Sequence, residues 1–339
     1  MIAALIRSPL EAAVMEAQEP ELGPRDVLLE VKNAGICGTD LHIWHGSYAL
    51  AAYPVVPGHE FSGVVAAVGP EVQGFSVGDR VTADPNLPCY SCVFCQQRQF
   101  NQCLNLEVIG VTRNGAFARS VVAPESAVYP IGGLPFAEAA LLEPLACVVW
   151  GLKQVQVQAG DKMLIFGAGP MGILMMQAAL RAGAASVVMV DKEAWRLELA
   201  SQLGASTTAQ ADTFTPEALE DAAPYGFDIV ADATGVPAVI ESTFKYVKPG
   251  GKVWVFGVAA GDARVPFSPY EVFRKDLKII GSFALNKTFH EAISLVQGGA
   301  VQLAPLISHQ LPLGEFEHGL ELAERDPKRM KVQFDLEAG

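Results

Sequence analysis

Apolar residues change their rhythm once along the chain. Up to about Pro144, short alternating or wholly apolar runs such as DVLLEVKNAG, FSGVVAAVG and RVTADP are punctuated by glycine and proline, which predicts β-strands and few long helices. From there to about residue 283, apolar strands alternate with helical segments: KMLIFG, a helix through GPMGILMMQAALRAG, SVVMVD, a helix through EAWRLELASQLG, then FDIVADATG, GKVWVFG and LKIIGSF. That is the βαβ rhythm of an α/β fold with a doubly wound parallel sheet. The tail predicts a helix at KTFHEAISLVQGG, another around EFEHGLELAER and a last strand at MKVQFDLE.

Size and charge narrow the classes of function. A chain of 339 residues exceeds one comfortable core and predicts two domains. Half of the residues are apolar and 18% charged, ordinary for a packed enzyme and unlike a disordered chain. A formal charge of −13 argues against nucleic acid and anionic membrane surfaces, because both select a basic face. The N-terminal stretch has a five-residue apolar run before Arg7 and no basic start, unlike a secretion signal or a transmembrane helix. Of six cysteines, four fall within 15 residues, which in so long a chain favours metal over disulfides and a cytoplasmic setting.

KMLIFGAGPMG places Gly167, Gly169 and Gly172 in G-x-G-x-x-G spacing between a strand and a helix, and Asp191 ends the next strand 19 residues after Gly172. This is the full context of a dinucleotide fingerprint: glycines admit the pyrophosphate to the backbone, and the helix N-terminus offers it free amides. Asp191 can accept from both ribose hydroxyls and would repel a 2′-phosphate, which favours NAD over NADP. Arg196 could face the adenosine end and leaves NADP tolerance open. Pro170 and Met171 within the fingerprint, and Gly257 and Ser282 after later strands, complete the candidate cofactor set. The competing reading is a flavodoxin-like sheet with ordinary tight turns.

CYSCVFCQQRQFNQC sets Cys89, Cys92, Cys95 and Cys103 in a C-x2-C-x2-C-x7-C run, the ligand set of a closed structural zinc site. Iron–sulfur ligation competes, since three cysteines at this spacing also occur in ferredoxins. A second constellation is dispersed: Cys37, Thr39, Asp40, His42 and His45 in ICGTDLHIWHG, then His59 and Glu60 in VPGHEF. Lastly LLEPLACVVW buries one carboxylate, Glu143, among apolar residues, where a lone charge costs several kcal/mol unless it is paired or binds metal. Pro144 suggests a helix start with Glu143 as cap. Cys147, four residues on, suggests a partner ligand or a core residue.

The motifs CGTDLH, GHEFSGVVAAVG, GDRV, EPLA and GAGPMG, with the four-cysteine lobe, resemble zinc-containing medium-chain dehydrogenases/reductases over essentially the whole chain. The resemblance implies a GroES-like β-barrel catalytic domain, residues 1–145 completed by 284–339, and a Rossmann domain, residues 146–283, with catalysis in the cleft between them. It implies two zinc ions per chain, one catalytic and one structural, with Cys37 and His59 as catalytic ligands. Simple alcohol dehydrogenases supply a cysteine as the third ligand, whereas the sorbitol-like and threonine dehydrogenases carry an acidic residue before proline. Glu143 is therefore expected at the catalytic zinc, directly or through water, with Glu60 as the alternative ligand and Cys147 in the core. By the family's pattern, Thr39 passes the substrate proton through the nicotinamide ribose to His42, while Asp40 either orients His59 or caps a turn.

The activity so implied is NAD-dependent oxidation of a secondary alcohol, most simply a polyol. Threonine dehydrogenases, the alternative, usually continue the acidic motif with Gly-Asn, where this chain has Leu145 and Ala146. Sorbitol dehydrogenases often carry an arginine where this chain has Ala284. A non-catalytic or quinone-reductase-like member is a further reading, disfavoured by the complete set of zinc and relay residues. The apolar edge strand near LKIIGSF predicts a homodimer or homotetramer.

Overall fold

The strand Asp26–Gly35 alternates half-exposed and buried residues, with Val27, Leu29 and Val31 turned inward, and then buries all of its last three. Period-two burial is what a sheet with one covered face requires. Around it the computed structural model, which describes residues 1–215, 219 and 222–338, builds one antiparallel-rich sheet. Its strands run in the order Ile307–Pro312, Lys331–Asp335, Asp26–Gly35, Glu60–Val68, Arg80–Ala83 and Val128–Pro130, and Ser120–Pro124 also pairs with Asp26–Gly35. The core beneath holds Phe61, Phe117, Phe316 and Phe334, all at most 1% exposed. Phe117 meets Phe334 edge-on with ring centroids 5.1 Å apart, a favoured aromatic geometry.

Lys331–Asp335 pairs antiparallel with Asn33–Gly35, so the C-terminal tail completes this first unit. The unit comprises Met1–Ala146, Asn286–Gln297 and the segment from Leu303 onward. An N-terminal hairpin, Ile2–Ser8 with Glu11–Glu16, and the strand Ile307–Pro312 were not foreseen in the sequence. Neither shows a clean period: the second hairpin strand is half-exposed along most of its length.

The second unit, Cys147–Leu285 with Gly298–Gln302, carries six parallel strands. Their order is Thr207–Gln210, Ser186–Asp191, Lys162–Phe166, Phe227–Asp232, Val247–Val255 and Lys278–Gly281. Strands added after Lys162–Phe166 go first to one side and then to the other, and the reversal next to that strand opens the crevice where such sheets bind ligands. The helices Pro170–Arg181 and Ala194–Gln202 follow the first two strands, as predicted. Thr207–Gln210 escaped notice because an outer strand reading Thr-Thr-Ala-Gln has no apolar run. Among the described residues, no helix is long and apolar enough to cross a membrane.

Candidate active site

Cys37 stands at the N-cap of the helix Gly38–Trp44, and Asp40 sits three residues into it. Asp40 is fully buried, accepting from the Cys37 amide at 2.8 Å through Oδ2 and from the Gly58 amide at 3.2 Å through Oδ1. It thereby ties the cysteine loop to the loop that presents His59. The Oδ1 atom also lies 3.6 Å from His59 Nδ1, an ion-pair distance too long for a hydrogen bond. The carboxylate thus closes the helix start, and it faces the imidazole without a hydrogen bond to it. Gly58 has φ of +96°, and a Cβ there would stand 2.7 Å from the Phe117 ring, so this turn admits only glycine.

Cys37, His59 and Glu60 form a group whose ligand atoms all lie within 4.8 Å of one another. A thiol, an imidazole and a carboxylate at that spacing are the donor types of a zinc site. The surrounding field fits a cation as well. Burial works against charging His59, yet Asp40, Cys37 and Glu143 together hold its pKa well above the usual histidine value. Burial also raises Asp40, against the pull of His59. Glu143 is 7% exposed, in the first turn of the helix Leu142–Val155, inside the helix rather than at its cap. It acts electrostatically on both His59 and Lys331 but is not a member of the three-residue group. Cys147 is half-buried, whereas Ala146 and Val148 beside it are fully buried, so the expected core position is only partly realised.

Thr39 Oγ1 lies 3.9 Å from Cys37 Sγ. His42, one turn further along the same helix, is exposed and exchanges a 3.1 Å hydrogen bond with Ser47 Oγ. Positions three apart share a helix face, which places the two candidate relay groups in line.

All six cysteines carry free thiols. The sulfurs of Cys89, Cys92, Cys95 and Cys103 lie within 4.8 Å of one another, and the amides of Cys89 and Asn105 donate to Cys103 Sγ at 3.2 and 3.4 Å. The Ser91 hydroxyl, aided by nearby amides, lowers Cys89 to about 5, while burial and the neighbouring thiols push Cys95 up to about 12. Four such sulfurs leave no position for a substrate, and the set fits a closed structural zinc.

In the second unit Gly169 caps the helix Pro170–Arg181, with Pro170 in its first turn and Met171 half-buried beside it. A Cβ on Gly172 would stand 1.8 Å from the Gly167 carbonyl oxygen, so only glycine lets helix and turn approach. Asp191 accepts from the Ala168 amide at 2.6 Å and the Glu193 amide at 2.9 Å, leaving further lone pairs on each oxygen. Arg196 Nη1 lies 3.9 Å from where a Gly169 Cβ would be, beside the glycine turn. Gly257 follows the strand Val247–Val255. The Ser282 hydroxyl accepts from the Trp254 indole at 3.1 Å.

Comparison with known proteins identifies the family. Residues 23–133 match the model of the alcohol dehydrogenase GroES-like domain, and residues 170–298 match that of the zinc-binding dehydrogenases. D-altritol 5-dehydrogenase of Agrobacterium fabrum is 40% identical over 330 residues, 96% of this chain and 97% of that protein. The chain belongs to the zinc-containing medium-chain dehydrogenase/reductase family, in its polyol/threonine dehydrogenase-like branch. L-threonine 3-dehydrogenase of Pseudoalteromonas atlantica is 34% identical over 90% of this dehydrogenase and 91% of its own length. A solved structure described as a zinc-binding dehydrogenase from Sinorhizobium meliloti 1021, bound to NADP, superposes with a TM-score of 0.94 at 32% identity, covering 98% of both chains.

Sequence reasoning missed Lys331. Its Nζ is buried and donates to both oxygens of Glu60 at 2.7 and 2.8 Å, and to the Ile36 carbonyl at 3.3 Å. Burial opposes its charge, but Glu60, Cys37 and Glu143 raise its pKa above the ordinary lysine value. The signal was present in MKVQF, a charge inside an apolar strand, and the question asked of Glu143 applied to it equally. Lys331→Met is expected to cost the zinc-depleted dehydrogenase about 3–5 kcal/mol by leaving Glu60 buried without its cation. Pairing it with Glu60→Gln should recover much of that loss in urea denaturation; an additive double variant would show that the two groups do not interact.

Proposed function

We propose that this dehydrogenase oxidises a secondary hydroxyl of a polyol with NAD. The observation that carries the reading is the acidic character of the donors around Cys37 and His59: Glu60 lies within the ligand group and Glu143 is buried beside it. A second cysteine ligand, as in the simple alcohol dehydrogenases, has no counterpart in that group. Full-length similarity to D-altritol 5-dehydrogenase supports a sugar alcohol over threonine. Zinc, when bound, supplies a Lewis acid for the substrate hydroxyl, and NAD supplies the hydride acceptor. Cys37 and His59 would hold the metal, with Glu143 as third ligand directly or through water and Glu60, now held by Lys331, as the alternative. Asp40 keeps the His59 loop and the Cys37 loop in register. Thr39 takes the hydroxyl proton, and the exposed His42 releases it to water with Ser47 as its hydrogen-bond partner. Asp191 binds the adenosine ribose and disfavours a 2′-phosphate. The thiol-rich sites suit the reducing cytoplasm.

The same reading includes a homo-oligomer. Every residue of the edge strand Lys278–Gly281 is exposed or half-exposed, and Tyr270, Phe273 and Phe283 near it in sequence are 65%, 79% and 48% exposed. Such an edge pairs with a second copy unless it is covered. Light scattering at micromolar concentration should give a multiple of 36.0 kDa, and a monomer mass would refute it.

NADH formation with a panel of alditols, threonine and simple alcohols tests the substrate class, the expected order being alditols first. Threonine as the best substrate would overturn the polyol assignment. In the same assay NAD should outperform NADP, and Asp191→Gly should narrow the gap by about 1–3 kcal/mol in kcat/KM, the size of one close like-charge contact.

Glu143→Gln removes charge and keeps shape, so folding should survive while turnover falls about tenfold or more. A residue serving only the helix start would cost at most about 1 kcal/mol of stability and no turnover. Cys147→Ala is the control and should retain both zinc ions. Zinc loss in Cys147→Ala, with full activity in Glu143→Gln, would instead give the ligand set of a simple alcohol dehydrogenase.

A further inference from the structure

Asp232 ends the strand Phe227–Asp232 beside the strand reversal, and it is fully buried. All of its hydrogen bonds in the following loop come from that loop. Oδ1 accepts from the Thr234 amide at 3.1 Å and the Thr234 hydroxyl at 2.6 Å, while Oδ2 accepts from the Gly235 amide at 2.9 Å. The Thr234 hydroxyl oxygen in turn accepts from the Val236 amide at 3.0 Å. One carboxylate therefore orders four consecutive residues that belong to no helix or strand until Pro237.

The loop so held is wedged between two glycines. A Cβ on Gly167 would meet Thr234 Cγ2 at 3.0 Å and the Ala233 carbonyl carbon at 3.3 Å. On its other side, a Cβ on Gly257 would stand 2.1 Å from the Gly235 amide nitrogen and 2.6 Å from Asp232 Oδ2. The Asp232 carbonyl also accepts from the Gly257 amide at 2.9 Å, joining this loop to the end of the next strand. Although its anchor is buried, the loop itself is open: Thr234 is exposed and Val236 is 48% exposed, and Val258, on the segment packed against Gly235, is 79% exposed. Exposed apolar side chains on a tightly hydrogen-bonded loop are surface that a flat ligand group can cover.

Strand order decides which part of a ligand this loop meets. Asp191 lies on the side of the Lys162–Phe166 strand where an adenosine ribose is bound, and Asp232 lies on the opposite side of the glycine turn. We propose that Asp232 is a positioning residue for the nicotinamide half of the dinucleotide, holding the Ala233–Val236 loop in its binding form before the cofactor arrives. This rests on the nicotinamide dinucleotide reading given above. Preorganisation spares the ligand the cost of ordering four loop residues, so the contribution appears in binding and not only in folding.

The test uses the zinc-loaded full chain and two probes, NADH and ADP, which lacks the nicotinamide and its ribose. Asp232→Asn presents an amide donor to a loop that offers only donors and should weaken NADH about tenfold, by fluorescence titration below the melting transition. ADP affinity, read by competition with NADH, should stay within about twofold, because the adenosine it shares with NADH lies on the Asp191 side. Thr234→Val deletes the hydroxyl while keeping the shape and should act in the same direction even if Asp232→Asn folds poorly; Thr234→Ser, which keeps the hydroxyl, should restore affinity. Equal weakening of both ligands, or unchanged NADH affinity in a folded variant, would overturn the proposal. A wild-type protein that bound ADP and NADH equally well would overturn it too, whereas one that bound neither would refute the dinucleotide reading on which it rests.

Discussion

Asp40, His59, Glu60, Glu143 and Lys331, all ionisable and each at most 7% exposed, lie in the first unit, and the candidate site depends on keeping them compatible. Each charge alone would cost several kcal/mol to bury. Together they answer one another: Lys331 closes on Glu60, while Asp40 closes on two amides and faces His59. Cys37 and Glu143 face the same space, and a divalent cation is a group that this donor set would fit. A site of this kind has to draw its parts from distant stretches of chain. The helix start at Cys37, the strand start at Glu60, the helix start at Glu143 and the final strand at Lys331 each bring one end of an element to it.

The second unit solves a different problem with little charge. Its inner parallel strands Lys162–Phe166, Ser186–Asp191 and Phe227–Asp232 are largely buried, and the candidate chemistry lies in the loops beyond their C-terminal ends. There, close approach is arranged by glycine: Gly172 against Gly167, and Gly257 against Gly235. Carboxylates then fix what glycine leaves free. Asp191 and Asp232 each end a strand, and each accepts from backbone amides of the turn beside it. The two act in the same way on opposite sides of the first strand, which gives the crevice a matched pair of preformed walls.

Family membership and substrate rest on separate observations. The zinc and glycine motifs are common to enzymes acting on many alcohols, so they assign a reaction type and little more. The substrate reading rests on the acidic donors in the candidate metal site and on similarity along the whole chain to a sugar-alcohol enzyme.

What the sequence determined by itself was whatever depends on neighbours in the chain. The four-cysteine lobe, the glycine turn with its strand and helix, and the alternation in Asp26–Gly35 are short-range patterns, and each is visible because its physics acts over a few residues. Glu143 could be singled out as a charge needing a partner, and only the family resemblance, not its neighbours in the chain, suggested zinc as that partner. Tertiary structure alone decided that Lys331, 271 positions away, holds Glu60, that Asp40 bridges two loops, and that Asp232 stands across the glycine turn from Asp191. Those contacts are set by strand order and by the return of the C-terminal tail into the first unit, and neither leaves a periodic trace in the chain. A buried charge announces that something must meet it; only the fold says what does.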